Sequence, residues 1–242
     1  MRFLTTVLLL MLSQMTFAGA DYAREKKWAD EVVPGIVVGD PVYFELKQGH
    51  KFLAVFAENK NAKMGVIEIH GMGVHPDWNL IGTLRTQLFE HGYTTLSIQM
   101  PVLGNETAAG MYDALFAEAE ERIAVAVNYL HSQGYKKIAI VSHSMGSAMS
   151  LNYVRNKQSE LIAWVSLGMG HDNTYSGIHI PVLDLYGEYD LQPVLKMAKK
   201  RAASLKGMAG SGQIMLPKSD HFYNNHEAEM VQAVTNFLDA IK

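Results

Sequence analysis

Short apolar runs alternate with longer amphipathic stretches along most of this chain. Gly65 to His70, Tyr93 to Gln99, Lys137 to Val141, Leu161 to Leu167, Pro181 to Tyr186 and Gln213 to Leu216 read as strands, the first of them apolar enough to be buried on both faces. Trp78 to Phe89 reads as a helix that stops at Gly92. Tyr112, Leu115, Phe116, Ala119, Ile123, Val127 and Leu130 fall on one helical face, with Gly134 as the stop. A final helix carries the stripe Met230, Val234, Phe237, Leu238 and Ile241. Ahead of the first buried strand, Pro41 to Leu46 and Lys51 to Ala57 read as an entry hairpin joined through Gln48-Gly49. Such alternation predicts an α/β fold: a mostly parallel central sheet with helices on both faces.

The 242 residues, 48% apolar and 19% charged, are enough for a sizeable core, and residues 21–242 are expected to form a single domain. The first twenty residues have a different character. Arg2, the apolar stretch Phe3 to Leu12 and the small residues Ala18-Gly19-Ala20 read as a secretory signal peptide cleaved after Ala20 or Ala18. Phe3 to Leu12 is too short to span a hydrocarbon core, which needs ~20 apolar residues. The expectation is therefore an exported protein, periplasmic or secreted, that begins near Asp21 and keeps no stable membrane anchor. The absence of cysteine excludes disulfides, thiolate metal sites and an acylated thiol. A net charge of −3 offers no basic bias toward nucleic acid, and Lys196, Lys199, Lys200 and Arg201 read as one solvated helix face.

The most distinctive chemistry lies in Ser142-His143-Ser144-Met145-Gly146, between the apolar run Ile138 to Val141 and a helix-like segment. A serine hydroxyl becomes a useful nucleophile on a tight strand-to-helix turn, with a base beside it and amide donors behind it. A serine after a strand equally suits a plain helix cap. Downstream, Asp190 and His221 each follow a predicted strand directly. Side chains just beyond the carboxyl ends of parallel strands project into one crevice.

With these residues the chain resembles the α/β-hydrolase superfamily. The family's elbow is Gly-x-Ser-x-Gly; Ser142 stands in place of the first glycine, while Ser144 and Gly146 keep theirs. The resemblance implies an α/β-hydrolase fold with a small lid or none, Ser144 as nucleophile, His221 as general base and Asp190 as the acid that orients it. Asp184 and Asp172 are rival acids. It also implies that His70-Gly71-Met72-Gly73 presents a main-chain amide to an oxyanion, the donors being Met72 and Met145; an ordinary glycine turn is the alternative. The continuation Val74-His75-Pro76-Asp77-Trp78 is similar to an exported bacterial subgroup of unassigned activity.

Other polar and soft residues add less. Glu68, inside an apolar strand, needs a partner such as His70, His143 or Arg85. His70, His75, His143 and His171 show no zinc-binding spacing, and no metal or organic cofactor is expected. Met72, Met100, Met111, Met145 and Met169 either line an adaptable acyl pocket or fill gaps beneath loops. The segments Pro101 to Gly110 and Gly168 to Ile180, which flank the crevice, are short. Together these features point to a serine hydrolase, carboxylesterase-like, that acts on a small-molecule or acyl substrate. The alternatives are a noncatalytic exported binding protein and a peptidase or amidase using the same three residues. The substrate-binding residues, acyl length and oligomeric state are not legible in the sequence.

Overall fold

The computed structural model describes residues 19–171 and 173–241. Most of the expected leader, and the rival acid Asp172, lie outside the described residues. The chain first forms α1 (Tyr22–Val32), which the hydrophobic pattern does not announce. The entry hairpin is β1 (Asp40–Glu45) and β2 (Lys51–Ala57), paired antiparallel from Asp40↔Phe56 to Glu45↔Lys51. Then come β3 (Gly65–Ile69), α2 (Asn79–Glu90), β4 (Thr94–Ile98), α3 (Phe116–Ser132), β5 (Ile138–His143) and α4 (Met145–Lys157). The rest is β6 (Ala163–Leu167), β7 (Val182–Tyr189), α5 (Gln192–Ser204), β8 (Gly212–Asp220) and α6 (Glu227–Asp239).

The eight strands of the described residues join one sheet in the order β1-β2-β4-β3-β5-β6-β7-β8. β2 pairs antiparallel with β4, and every pair from β4 through β8 is parallel. Alternate strand residues feed two cores, as the period of two along a strand requires. Ile67, Ile69, Leu96, Ile98, Ile138 and Ile140 pack with Ile123 and Val127 of α3 and Ala148 and Met149 of α4. Val66, Ala139, Val141, Val165 and Leu167 pack with Leu84 and Leu88 of α2 and Met230 and Val234 of α6. Helices therefore cover both faces, and the carboxyl ends of β3, β5, β6, β7 and β8 open on one edge. Among the described residues no helix is long and apolar enough to cross a membrane.

Four local expectations need correction. The helix read from Tyr112 begins at Phe116; Ala109–Leu115 is a 3-10 turn, whose spacing of three still buries Tyr112 and Leu115. β8 runs past the expected Leu216 to Asp220 and contains Pro217, which an edge strand tolerates because no ladder partner needs its missing N–H. Arg201 does not share the solvated face of Lys196, Lys199 and Lys200: it is fully buried, and its Nε donates to Asp184 at 2.9 Å. Among the described residues Glu68 has no ion pair. Its Oε2 accepts the Leu96 N–H at 3.1 Å and its Oε1 has no partner among the described residues. Arg85 donates instead to Asp77 and, at 2.5 Å, to the Val38 carbonyl. Burial pushes the Glu68 carboxyl up to about 8, so it is neutral at pH 7.

Candidate active site

β5 ends in His143, and the next residue turns the chain into α4. Ser144 takes φ 54° and ψ −120°, a conformation that side-chain-bearing residues avoid. Two contacts hold it there. The Ser144 N–H donates to the Leu167 carbonyl of β6 at 2.8 Å, and the Ser144 carbonyl accepts the Ser147 N–H at 3.0 Å. The turn also requires α4 to lie hard against β3: a Cβ on Gly146 would collide with the His70 carbonyl and the Ile69 side chain. At the opposite flank, Ser142 is accommodated for a specific reason. Its hydroxyl accepts the buried Trp164 indole N–H at 2.8 Å and lies 3.0 Å from the Ser147 hydroxyl.

Asp190 and His221, which follow β7 and β8, meet at this turn. The His221 Nδ1–H donates to Asp190 Oδ1 at 2.5 Å, and the Ser144 hydroxyl lies 2.9 Å from His221 Nε2. The His221 side chain is 6% exposed and the Asp190 side chain is fully buried, so water does not compete for their bond. Asp190 is fixed in turn by the Leu191 N–H at 2.7 Å and the Gly187 N–H at 3.3 Å. The rival acid Asp184 is engaged elsewhere, by Arg201, Gln213 and the Tyr175 hydroxyl.

Neighbouring histidines serve this arrangement as neutral scaffolding. Burial lowers His143 to about 3; its Nε2–H donates to the His221 carbonyl at 2.9 Å and its ring centroid lies 4.7 Å from that of His221. Burial likewise lowers His70 to about 3. Its Nε2 accepts the Met100 N–H at 2.8 Å, which leaves Nδ1–H to donate to the Gly71 carbonyl at 2.8 Å. The loop after β3 passes beside the nucleophile turn: a Cβ on Gly71 would stand 3.3 Å from the Ser144 Cβ. Met72 follows on this loop and is exposed, and Met145 opens α4. Met100, Met145 and Met169 are buried, whereas Met111 is exposed. Among the described residues no group of three or more His, Asp and Glu is placed to hold a metal ion.

The overall fold of the chain recurs in solved proteins. An α/β serine hydrolase without a lid from Xanthomonas campestris superposes with a TM-score of 0.69 at 12% identity, over 85% of this chain and 95% of that one. This chain has the α/β-hydrolase fold. An esterase from Pyrococcus furiosus matches with a TM-score of 0.69 at 14% identity, over 84% of this chain and 92% of that one. A dienelactone hydrolase from Anabaena variabilis matches with a TM-score of 0.67 at 18% identity, over 83% and 98%. Residues 42–119 match a family described as a protein of unknown function (DUF3530). That segment runs from the hairpin of this α/β-hydrolase fold to the start of α3 and includes the loop after β3. No curated protein matches the sequence.

The sequence reading missed α1 entirely. Arg24 donates to the Gly73 carbonyl at 3.0 Å and to the Leu103 carbonyl at 2.6 Å, so α1 touches the loop that runs beside Ser144. A signal was present in Asp21, a helix-capping residue whose carboxylate accepts the Arg24 N–H at 3.0 Å. The oppositely charged Lys26–Asp30 and Lys27–Glu31, four residues apart, were a second one.

Proposed function

We propose that the protein is an exported serine hydrolase that cleaves an ester or related acyl bond through an acyl-Ser144 intermediate. The observation that carries this reading is the unbroken hydrogen-bonded chain from the Ser144 hydroxyl through His221 to buried Asp190. In the proposed reaction His221 Nε2 takes the Ser144 proton as the oxygen attacks the substrate carbonyl. Asp190 holds the imidazole in the Nδ1–H tautomer and stabilises the imidazolium that forms. The Met72 and Met145 amides receive the developing oxyanion; one such donor contributes about 3 kcal/mol to the transition state. The tetrahedral adduct collapses as His221 protonates the departing alkoxide, which leaves acyl-Ser144. Water, deprotonated by His221, then releases the acid and restores the hydroxyl.

The short segments beside the crevice, 101–110 and 168–180, favour a small or extended accessible substrate over an emulsified lipid. The leader-like Phe3 to Leu12 and the small residues before Asp21 support export. A short-chain p-nitrophenyl ester tests the reading. Wild type turns it over, Ser144→Ala reduces turnover to background, and retained turnover in that variant removes the proposal. Parallel assay of an anilide with the same acyl group separates an esterase from an amidase.

A further inference from the structure

We infer that α1 is a clasp for the oxyanion loop, with Arg24 as its positioning residue. The inference rests on the proposed hydrolase reading and goes beyond it by adding an element outside the set Ser144, His221 and Asp190.

α1 is attached in an unusual way. Of its residues only Glu25 and Ala29 are buried, so the helix does not dock through an apolar stripe. Polar side chains make most of its ties: Arg24 reaches the loops that follow β3 and β4, Tyr22 and Glu25 reach Glu118 and Arg122 of α3, and Glu25 also meets His50 of the hairpin. The Arg24 guanidinium lies over the Trp28 ring, 4.4 Å from its centroid, and two of its nitrogens reach the Gly73 and Leu103 carbonyls at 3.0 and 2.6 Å. Glu25 accepts from both terminal nitrogens of Arg122, at 2.9 and 3.0 Å. Arg122 in turn donates to the Gln99 carbonyl at 2.9 Å. The Gln99 side-chain amide lies 3.0 Å from His70 Nε2, and His70 Nδ1–H holds the Gly71 carbonyl at 2.8 Å. The helix therefore addresses the segment 71–73 at both ends, directly at Gly73 and through a relay at Gly71.

The geometry of a trans peptide explains why the Gly71 end matters. Its C=O and N–H point in opposite directions, so fixing the Gly71 carbonyl on His70 fixes the direction of the Met72 N–H. Glycine flanks Met72 on both sides, and Gly73 occupies φ 69°, where the backbone has little intrinsic preference to hold it. An amide donor stabilises an oxyanion in proportion to how well it is aimed beforehand. Arg24 holds the Gly73–Val74 peptide, two units beyond the one that carries the Met72 N–H, and so anchors the glycine-flanked segment from its downstream end. A lysine cannot replace it, because one ammonium on a flexible stem cannot hold the fork that bridges two carbonyls while stacked on an indole.

The test uses the full chain, with Arg24→Met, Arg24→Lys and Arg24→Ala compared with wild type on a p-nitrophenyl short-chain ester. Losing one oxyanion donor outright lowers kcat about 100- to 1,000-fold, so misaiming one is expected to lower it about 10- to 100-fold, with KM within about twofold. Arg24→Met keeps an unbranched stem without the guanidinium and Arg24→Lys keeps the charge; both are expected to show the loss at a temperature where urea titration finds them folded. Ethylguanidine added to Arg24→Ala at millimolar concentration is expected to restore part of kcat, which a general loss of stability would not allow. Unchanged kcat in Arg24→Met, or a loss that only follows the unfolded fraction and is not rescued, overturns the inference. Failure of the underlying reading looks different: wild type itself would then show no Ser144-dependent turnover.

Discussion

Replacing Ser142 by glycine restores the residue that the α/β-hydrolase elbow ordinarily carries there, yet it should destabilise this protein. The Trp164 side chain is fully buried and its indole N–H donates to the Ser142 hydroxyl at 2.8 Å. Removing that acceptor leaves a buried donor unsatisfied, which costs about 1–3 kcal/mol. Glycine in the strand adds about 0.5–1 kcal/mol. The Ser147 hydroxyl still keeps the Ser142 carbonyl at 2.8 Å, so no further penalty arises there. The expected loss is about 2–3 kcal/mol, read from urea unfolding followed by far-UV circular dichroism. In a Trp164→Phe background the donor is already gone, and Ser142→Gly should cost only about 1 kcal/mol, a coupling of about 1–2 kcal/mol in the double-mutant cycle. A Ser142→Gly variant within about 0.5 kcal/mol of wild type, or additive effects in the double variant, would refute the reasoning.

Glu68→Gln should change the pH dependence of stability. The carboxyl's ordinary value is 4.5 and the native value about 8, so between these the native state holds a proton that the unfolded state has lost. The stability due to this group is whole below about 4.5 and falls by about 1.4 kcal/mol per pH unit as pH rises toward 8. The variant should therefore gain on wild type between pH 5 and 8 in urea midpoints; parallel curves would contradict this. Asp190→Asn should lower kcat by about 10,000-fold with little loss of stability. Asp184→Asn should instead cost about 3–5 kcal/mol by stranding the buried Arg201 charge, with kcat per folded molecule retained; a reversed pair of outcomes would reassign the acid. His143→Leu removes the donor to the His221 carbonyl, worth about 1 kcal/mol, and should lower kcat about fivefold. An unchanged kcat would show that His143 does not position the imidazole.

Periodicity was a good guide wherever burial follows one element's own pattern. The runs at Gly65, Tyr93 and Leu161 became β3, β4 and β6, and Met230 to Leu238 lies on the core face of α6. Order and spacing were enough to nominate Ser144, Asp190 and His221, because each follows a strand and parallel strands end on one edge. What escaped notice depends on polar contacts distant in sequence. α1 carries few strongly apolar residues, and its contacts with Gly73, Leu103 and Arg122 are visible only in three dimensions. Arg201 sits among lysines at helical spacing, and it is turned inward by Asp184 and by the Met169 and Val194 carbonyls. Glu68 was expected to find a partner among His70, His143 and Arg85. Arg85, one of those candidates, is held by Asp77 and Val38, and burial raises the Glu68 carboxyl toward its neutral form.

Covalent labelling of purified protein with a fluorophosphonate, located by peptide mass spectrometry, tests the central claim most directly. The account predicts one adduct, on Ser144, with labelling abolished in Ser144→Ala and strongly slowed in His221→Ala. Folded wild-type protein that takes up no label, or takes it up equally after His221 is removed, would contradict it.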